Sequence, residues 1–553
     1  MRIIIKLTLV LALSALAGQN ASPCTNFLVT RGASVNGATM ITYAADAHFL
    51  YGELYYQPAE DHPEGSMRDI YEWDTGKYLG RIRQVAHTYS VVGLMNEHQV
   101  VIGETTYGGR PELVDTTATI DYGSLMFIAM ERSKSAREAI RVIGDLVKEY
   151  GYYSSGETFS IADKNEVWIM DIIGKGPGNT GAVWVARRIP DGYVSAHANQ
   201  ARIRTFPQDD PENCLYAEDV VSFAREQGYY KGSDKDFSFS DTYAPVNFEG
   251  ARFCEARVWA FFNKITGGMD KYLDYAEGKN LENRMPLWVK PTKKISAADL
   301  MHDMRDHFEG TPLDMTRDIG AGPFRLPYRW RPLTWEVDSV TYCNERAVAT
   351  QQTGYSFVAE CRNWLPDWIG GIFWFGVDDA ATSCYSPMYC GINRIPEPFR
   401  EGNGDMITWS DNSAFWAFNF VSNFCYLRYD LMTPDVKKVQ AELESKYLGD
   451  KEAVDRAALE LYGKDPERAR QFLTDYSVSV GEQTFRRWKD LGHYLLVKYM
   501  DGNVKKEVDG KLIYNRYGRH IPPEPDHPGY PEWWYRKIAE QEGQKLKVIG
   551  ETH

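Results

Sequence analysis

The residue best placed to act as a nucleophile is Cys24, which follows Pro23 and begins a strand-like segment over residues 24–30. If the bond after Pro23 is cleaved, Cys24 carries a free α-amine beside its own thiol. Because an α-amine has a pKa of about 7.7–8.0, it can accept the thiol proton and return it to a leaving group. This arrangement indicates an amide-bond hydrolase in which one residue supplies nucleophile and base. The alternative is a small buried cysteine at a strand start.

The segment before Cys24 indicates how this residue would become the N-terminus. Basic residues precede an apolar run over residues 7–17, which is too short to span a bilayer. The pattern predicts a signal peptide over residues 1–17, and therefore an exported protein, periplasmic or extracellular, with no membrane span after its removal. Residues 18–23 are predicted to be a short propeptide that is lost by self-cleavage. Lipid attachment at Cys24 is an alternative, but a lipobox normally has a small residue where Pro23 stands.

The composition excludes several other classes of protein. The chain has 553 residues, of which 43% are hydrophobic and 13% aromatic, enough for a large core. Its formal net charge of −14 argues against nucleic acid as a partner, since that requires a basic surface. The sequence contains no HExxH, GxSxG or P-loop motif, and its histidines lack metal-ligand spacing. We therefore expect no metal and no other cofactor.

The elements that must position Cys24 are mainly β-strands at first. Strand-like segments over residues 24–30 and 39–44 flank a turn at Asn36-Gly37. A capping box at Ser135 and Glu138 predicts a helix that ends at Gly151. Further strands are predicted at residues 85–94, 100–106, 158–162, 167–173, 182–186 and 193–198. This order predicts an α+β fold of antiparallel sheets packed with helices.

The second half of the chain changes character. Helices are predicted at residues 251–265 and 297–307, and strands within 334–380. From about residue 434 the chain is mostly helical, charged and amphipathic. We therefore predict a catalytic domain over residues 24–433 and a helical C-terminal extension over 434–553 that packs on it.

Several blocks of the sequence resemble one known family. They are residues 24–29 (CTNFLV), 36–41 (NGATMI), 95–98 (MNEH), 103–110 (GETTYGGR), 166–168 (EVW), 174–178 (GKGPG), 186–193 (ARRIPDGY), 195–200 (SAHANQ) and 371–379 (GIFWFGVDD). Together they resemble the C69 family dipeptidases, which are N-terminal nucleophile hydrolases. The resemblance implies their αββα sandwich of two antiparallel sheets flanked by helices. It also implies dipeptide cleavage through a thioester acyl-enzyme, self-processing and no metal.

The resemblance assigns roles at matching positions. It implies that Cys24 is the nucleophile and that Asn199 donates a hydrogen bond to the oxyanion, which would lower the barrier by roughly 2.7–4 kcal/mol. Asp46 matches an acid that contacts the amine of the nucleophile. Arg257 matches an arginine near the site in the wider superfamily. One position departs from the pattern, because Tyr43 stands where many relatives have an arginine.

Substrate contacts are predicted in two neighbouring segments. A dipeptidase must bind a free ammonium group, for which a carboxylate is the natural partner. Glu104 and Glu157 are the candidates for this contact, and Thr105 or Thr106 could donate hydrogen bonds to the substrate. The closest alternative function is an N-acyl amide hydrolase on the same fold, such as a penicillin V acylase or bile salt hydrolase. A non-catalytic surface-binding protein is a further alternative, and the sequence leaves a homo-oligomer possible.

Overall fold

The computed structural model describes residues 24–517 and 519–550, so the predicted signal peptide and propeptide lie outside the described residues. In chain order the strands of the described part are β1 (Asn26–Val29), β2 (Thr39–Asp46), β3 (Tyr56–Gln57), β4 (Glu60–Asp61), β5 (Met67–Tyr71), β6 (Tyr78–Arg83), β7 (His87–Thr88), β8 (Val91–Val92), β9 (Met95–Asn96), β10 (Val101–Tyr107), β11 (Gly156–Ala162), β12 (Val167–Gly174), β13 (Ala182–Arg188), β14 (Val194–His197), β15 (Cys214–Tyr216), β16 (Trp288–Val289), β17 (Thr334–Val337), β18 (Val340–Cys343), β19 (Thr353–Cys361), β20 (Gly371–Val377), β21 (Ser386–Tyr389), β22 (Glu507–Val508) and β23 (Lys511–Leu512). The α-helices are α1 (Tyr122–Glu131), α2 (Ala136–Tyr150), α3 (Val220–Glu226), α4 (Phe239–Tyr243), α5 (Ala256–Ile265), α6 (Leu273–Ala276), α7 (Ala297–Asp303), α8 (Asp367–Gly370), α9 (Ala414–Cys425), α10 (Tyr429–Tyr462), α11 (Pro466–Tyr499) and α12 (Glu532–Leu546).

Two large antiparallel sheets form the centre of the molecule. One has seven strands in the order β16-β14-β1-β2-β19-β20-β21, and the other has eight in the order β15-β13-β12-β11-β10-β9-β8-β3. Strands β1 and β2 of the first sheet contact β10 and β11 of the second. Helices α1 and α2 pack on the eight-stranded sheet, and α9, α10 and α11 pack on the seven-stranded sheet. The predicted α+β sandwich of two antiparallel sheets flanked by helices is therefore confirmed.

Local sequence signals account for the elements nearest the centre. Every residue of β1 and β2 is buried, because sheets covered on both faces leave no solvent side. The Ser135 hydroxyl accepts a hydrogen bond from the Glu138 N–H at 3.3 Å and caps α2, as the capping box predicts. Gly151 ends that helix with a φ of 77°, a conformation that glycine adopts without steric cost.

The C-terminal region is helical, as predicted, and it contains two long helices. Helices α10 and α11 have 34 residues each and pack against one another. Because α10 begins at Tyr429, it runs across the predicted domain boundary between residues 433 and 434. The buried Arg362 next to β19 donates to the Asp455 carboxylate of α10, which joins this helix to the sheet. In the described part of the chain, none of the helices is long and apolar enough to cross a membrane.

Candidate active site

Cys24 lies at the end of the sandwich where β1 enters the seven-stranded sheet. The backbone of Thr25 exchanges hydrogen bonds with Ala44 of β2, at 3.1 and 3.4 Å, which places Cys24 beside the C-terminal end of β2. The Cys24 side chain is only 1% exposed. The nucleophile predicted from the sequence is therefore held by two neighbouring strands rather than by a loop.

Acidic and phenolic groups surround the sulfur of Cys24. Its thiol donates to the Glu104 carboxylate, with 3.3 Å between Sγ and Oε1, and its sulfur lies 3.7 Å from the Tyr43 hydroxyl. Tyr43 in turn donates to the same Glu104 oxygen at 2.5 Å. Tyr43, which stands where many relatives have an arginine, therefore donates a hydrogen bond to Glu104, the group that accepts from the thiol. It places no positive charge beside the thiol.

Glu104 and Glu157 form a closely coupled acidic pair behind the thiol. Both side chains are buried. They lie diagonally across the pairing of β10 with β11, in which Glu104 is opposite Phe159 and Glu157 is opposite Thr106. Burial and the neighbouring Glu104 charge raise the pKa of Glu157 well above its usual range. Burial also raises the pKa of Glu104, against the hydrogen bonds from Glu157, Tyr43 and Cys24. Of the two, Glu157 is the carboxyl on which the neighbouring Glu104 charge favours the protonated form.

The thiol of Cys24 is not ionised in this environment. Burial is the largest cause that raises its pKa well above the usual value, and the charges of Glu104 and Asp46 raise it further. Hydrogen bonding with the Asp46 backbone and the proximity of the Tyr43 hydroxyl act in the opposite direction. Because a thiolate is the reactive form of cysteine, Cys24 could act as the predicted nucleophile only with a base that takes this proton.

Arg257 fixes the backbone of Cys24. Its guanidinium is fully buried and donates to the Cys24 carbonyl oxygen at 2.5 Å and to the Thr25 hydroxyl at 2.7 Å. The same guanidinium donates to the Asn199 side-chain oxygen at 2.8 Å. Arg257 lies on α5, and its Nε donates to the Phe253 carbonyl of the preceding π-helical turn. This arginine therefore positions Cys24 and Asn199 relative to each other.

Asn199 adjoins the nitrogen of Cys24. Its side-chain oxygen accepts from the Cys24 backbone nitrogen at 2.9 Å, and its side-chain nitrogen donates to the Thr106 carbonyl at 2.6 Å. The backbone of Asn199 is left-handed, with a φ of 59°, which asparagine tolerates better than most residues. An amide nitrogen carries two hydrogens, so the bond to Thr106 accounts for one of them. Donation to an oxyanion stays a prediction.

Asp46 is the last residue of β2 and a second acidic neighbour of Cys24. Its carboxylate accepts from the Thr353 hydroxyl at 2.6 Å and lies 3.9 Å from the Arg346 guanidinium. Burial raises the pKa of Asp46 to about 7, although Arg346, Thr353 and Arg257 act against this rise. Near neutral pH this carboxyl can therefore exchange a proton with its surroundings.

The two threonines predicted to contact substrate have different surroundings. The Thr105 hydroxyl lies 2.8 Å from Nδ1 of His197, whose Nε2 lies 2.6 Å from the Ser160 hydroxyl. Burial lowers the pKa of His197 well below its usual value, so this histidine is neutral and links the two sheets. Thr106 instead lines a pocket that also contains Asn199. Only Thr106 of the two is therefore placed along the open side of the site.

That pocket has a volume of about 570 Å³ and reaches Asn199. Its walls include the apolar side chains of Phe49 and Phe253 and the guanidinium groups of Arg331 and Arg346. Sequence analysis missed both of these arginines, because they lie outside the family-like blocks and follow no periodic pattern. Among the described residues, no group of histidine, cysteine and carboxylate side chains is arranged to hold a metal ion.

Comparison with known proteins decides the family. The model of Peptidase family C69 matches residues 23–442. The chain belongs to peptidase family C69. The match begins one residue before Cys24 and ends within α10, so it contains every site residue described above. The protein is therefore a peptidase.

Individual relatives agree with this assignment. A probable dipeptidase of Latilactobacillus sakei is 24% identical over 403 residues, which cover 69% of this chain and 76% of the relative. A probable dipeptidase of Salmonella dublin is 24% identical over 386 residues, covering 67% and 81% respectively. Dipeptidase A of Lactobacillus helveticus is 24% identical over 400 residues, covering 68% and 77%.

In this C69 peptidase, the structure brings together most of the residues predicted for the site. Cys24, Asp46, Asn199 and Arg257 form one connected cluster, and Glu104 contacts the thiol. Three predicted substrate residues lie outside the lining of the pocket, and these are Glu104, Glu157 and Thr105. Their binding of the substrate ammonium or backbone stays a prediction.

Proposed function

We propose that this C69 peptidase is a cysteine-type dipeptidase whose mature chain begins at Cys24. The observation that carries the proposal is the bond between the Cys24 nitrogen and the Asn199 side-chain oxygen, at 2.9 Å. After cleavage of the peptide bond between Pro23 and Cys24, the hydrogen bond to Asn199 would hold the new α-amine beside its own thiol. The dipeptidase names of the relatives support the substrate class.

The catalytic cycle follows from these groups. The α-amine of Cys24 takes the thiol proton while the sulfur attacks the carbonyl carbon of the substrate. The C–N bond then breaks, the leaving amine takes that proton, and the acyl group stays on sulfur as a thioester. Water attacks the thioester, gives a proton to the α-amine, and releases the acid as the sulfur takes the proton back. Arg257 acts as a positioning residue throughout.

Self-cleavage requires a different base, because the nitrogen of Cys24 is still an amide at that stage. We assign this step to Glu104, whose Oε1 lies 3.3 Å from Sγ. Glu104 would take the thiol proton as the sulfur attacks the Pro23 carbonyl, and the Cys24 nitrogen would leave as an amine after protonation. Water would then hydrolyse the resulting thioester between the Pro23 carbonyl and the Cys24 sulfur and release the propeptide. A raised pKa makes Glu104 a stronger base than an ordinary carboxylate.

Export of the protein is part of the same proposal. The basic, apolar and small-residue pattern of residues 1–17 supports a signal peptide, and residues 18–23 would then form the propeptide. The mature enzyme would work in the periplasm or outside the cell.

The test combines the N-terminal sequence with a panel of substrates. Native protein, Cys24→Ala and Cys24→Ser are expressed with residues 1–553 and analysed by intact mass. We expect the native chain to begin at Cys24 and to hydrolyse dipeptides, whereas Cys24→Ala keeps its propeptide and has no activity. Penicillin V and a bile-acid amide in the same panel test the acylase alternative. Dipeptidase activity in Cys24→Ala would refute the proposed nucleophile.

A further inference from the structure

Arg346 is a buried cation with few partners. Its side chain is 8% exposed, and a guanidinium carries five N–H donors. Within residues 24–517 and 519–550, its recorded contacts are a 3.5 Å hydrogen bond to the Asn199 side-chain oxygen and a 3.9 Å approach to Asp46. Its Nε is buried without a hydrogen-bond partner in the same part of the chain. Burying a charge in this way is costly unless an anion faces it.

The charges around Arg346 add to the imbalance. Burial and the neighbouring Arg257 lower the pKa of Arg346 well below its usual value. Asp46 is the acid nearest to it, but with a pKa of about 7 this carboxyl is only partly ionised near neutral pH. The pocket is also lined by Glu249, which is exposed at its rim. The floor of the pocket next to Asn199 is therefore positive.

A second arginine converges on the same floor for a topological reason. Arg331 lies three residues before β17, and Arg346 lies three residues after β18. Antiparallel pairing places Thr334 opposite Cys343, which brings the two ends of this exposed hairpin together at the pocket. Arg331 is exposed to solvent there, and its guanidinium donates to the Gln352 side-chain oxygen at 3.0 Å.

We propose that Arg346 and Arg331 bind the C-terminal carboxylate of the substrate and so limit cleavage to peptides with one residue after the scissile bond. This inference rests on the proposed dipeptidase function. Guanidinium groups bind carboxylates through paired, charge-assisted hydrogen bonds, and the unpartnered Nε of Arg346 supplies one such donor. A longer peptide or a C-terminal amide would place a neutral group against this positive floor.

The distances fit a dipeptide. In a dipeptide the carboxylate carbon is three bonds from the scissile carbonyl carbon, a separation of at most about 4 Å. One side-chain amide separates the two groups in the protein, since the Asn199 oxygen accepts from Cys24 N at 2.9 Å and from Arg346 at 3.5 Å. A substrate whose carbonyl meets Cys24 can therefore place its carboxylate near Arg346 without spanning the pocket.

The experiment compares matched substrates on matched variants. A dipeptide, its C-terminal amide and a tripeptide are hydrolysed by the native mature enzyme, by Arg346→Gln and by Arg331→Gln. Arg317→Gln is the control, since Arg317 is 74% exposed and lies outside the pocket lining. We expect Arg346→Gln to lower kcat/KM for the dipeptide roughly 10- to 100-fold, with little change for the amide. The preference for a free carboxylate would then be lost, mainly through KM.

Further measurements separate the possible failures. Arg331→Gln changes an exposed residue and keeps the proposal testable if Arg346→Gln does not fold; a smaller loss of the same preference is expected. Calorimetry with a dipeptide analogue whose scissile amide is reduced to an amine, and with its C-terminal amide, measures binding alone. Carboxylate-dependent binding without hydrolysis of any dipeptide would overturn the proposed function but support this subsite. Native enzyme that treats dipeptide and amide alike, or variants that lower both equally, would overturn the subsite.

Discussion

Replacing Glu104 by glutamine tests the chemistry of self-cleavage most directly. The change keeps the shape of the side chain but removes the group that can take the Cys24 proton. At 3.3 Å, a thiolate and an ionised Glu104 would repel each other by about 5 kcal/mol at an effective dielectric constant of 20. That repulsion corresponds to roughly 3–4 pKa units. The two groups therefore do not ionise together, and a proton that leaves the thiol passes to Glu104.

Without that acceptor, the proton must leave a buried site for the solvent. General bases typically accelerate such steps 10²- to 10⁴-fold, so we expect Glu104→Gln to self-cleave at least about 100-fold more slowly at pH 7. The native rate should rise with pH as Glu104 loses its proton, through a pKa above the usual 4.5, and then reach a plateau. The variant lacks this plateau, because its rate follows ionisation of a thiol whose pKa burial has raised.

Glu157→Gln is the matched control, because it makes the same change in the neighbouring carboxyl. The raised pKa of Glu157 favours its uncharged form, and glutamine is an uncharged side chain of the same shape. We expect near-native self-cleavage in this variant. The assay follows purified precursor by intact mass over time, at several pH values. Native rates in Glu104→Gln, or equal losses in both variants, would refute the assignment of Glu104 as the base.

Three further predictions concern residues around the nucleophile. Arg257→Gln removes a buried charge that holds the Cys24 carbonyl, so kcat should fall at least about 100-fold. Urea unfolding of the same variant should show a stability loss of about 3–5 kcal/mol. An unchanged kcat would contradict the positioning role of Arg257. In an unprocessed Cys24→Ala background, the raised pKa of Asp46 should make stability fall by up to about 4 kcal/mol as pH rises from about 4 to about 7. Adding Asp46→Asn should reduce the slope in urea titrations by this contribution, while other buried carboxyls with raised pKa values, such as Asp378 and Asp171, keep the remainder. Thr105→Val leaves one ring nitrogen of the buried His197 without its hydroxyl partner. Thermal unfolding should show that the free energy of unfolding falls by about 1–3 kcal/mol. No change would mean that this contact does not stabilise the packing of the two sheets.

The elements of the fold that the sequence predicts best are those with strong local signals. The Ser135 cap of α2 and the glycine that ends the helix depend on residues a few positions apart, and both appear in the structure. The other half of the predicted capping box does not form, because the Glu138 carboxylate accepts from the Lys134 N–H instead. The length of α10 and α11 was not predictable in the same way. Their polar faces dilute the helical pattern, and their stability comes from packing on one another and on β21.

The residues of the candidate site also differ in how well the sequence predicts them. Cys24 and Asn199 lie in segments with family-like sequence, and Asp46 follows such a segment by five residues, so the resemblance could indicate them together. Arg346 could not be found, because its importance depends on a hairpin that returns it to the pocket and on the burial of its charge. Which of Thr105 and Thr106 lines the pocket depends on how the two sheets stack, a relation between segments about 90 residues apart that no local pattern carries.

The separation of the acidic pair from the arginines near Cys24 lets each group keep its proposed role. If Arg346 contacted Glu104 directly, the ion pair would lower the pKa of that carboxyl and weaken it as a base. The guanidinium would then also have its counter-ion and no reason to bind a substrate carboxylate. Arg346 instead donates to the Asn199 side-chain oxygen, which also accepts from Cys24 and Arg257, while the Asn199 nitrogen donates to Thr106. Substitution of Asn199 should therefore disturb self-cleavage and carboxylate selectivity together, whereas changes in Glu104 or Arg346 should affect one of them each.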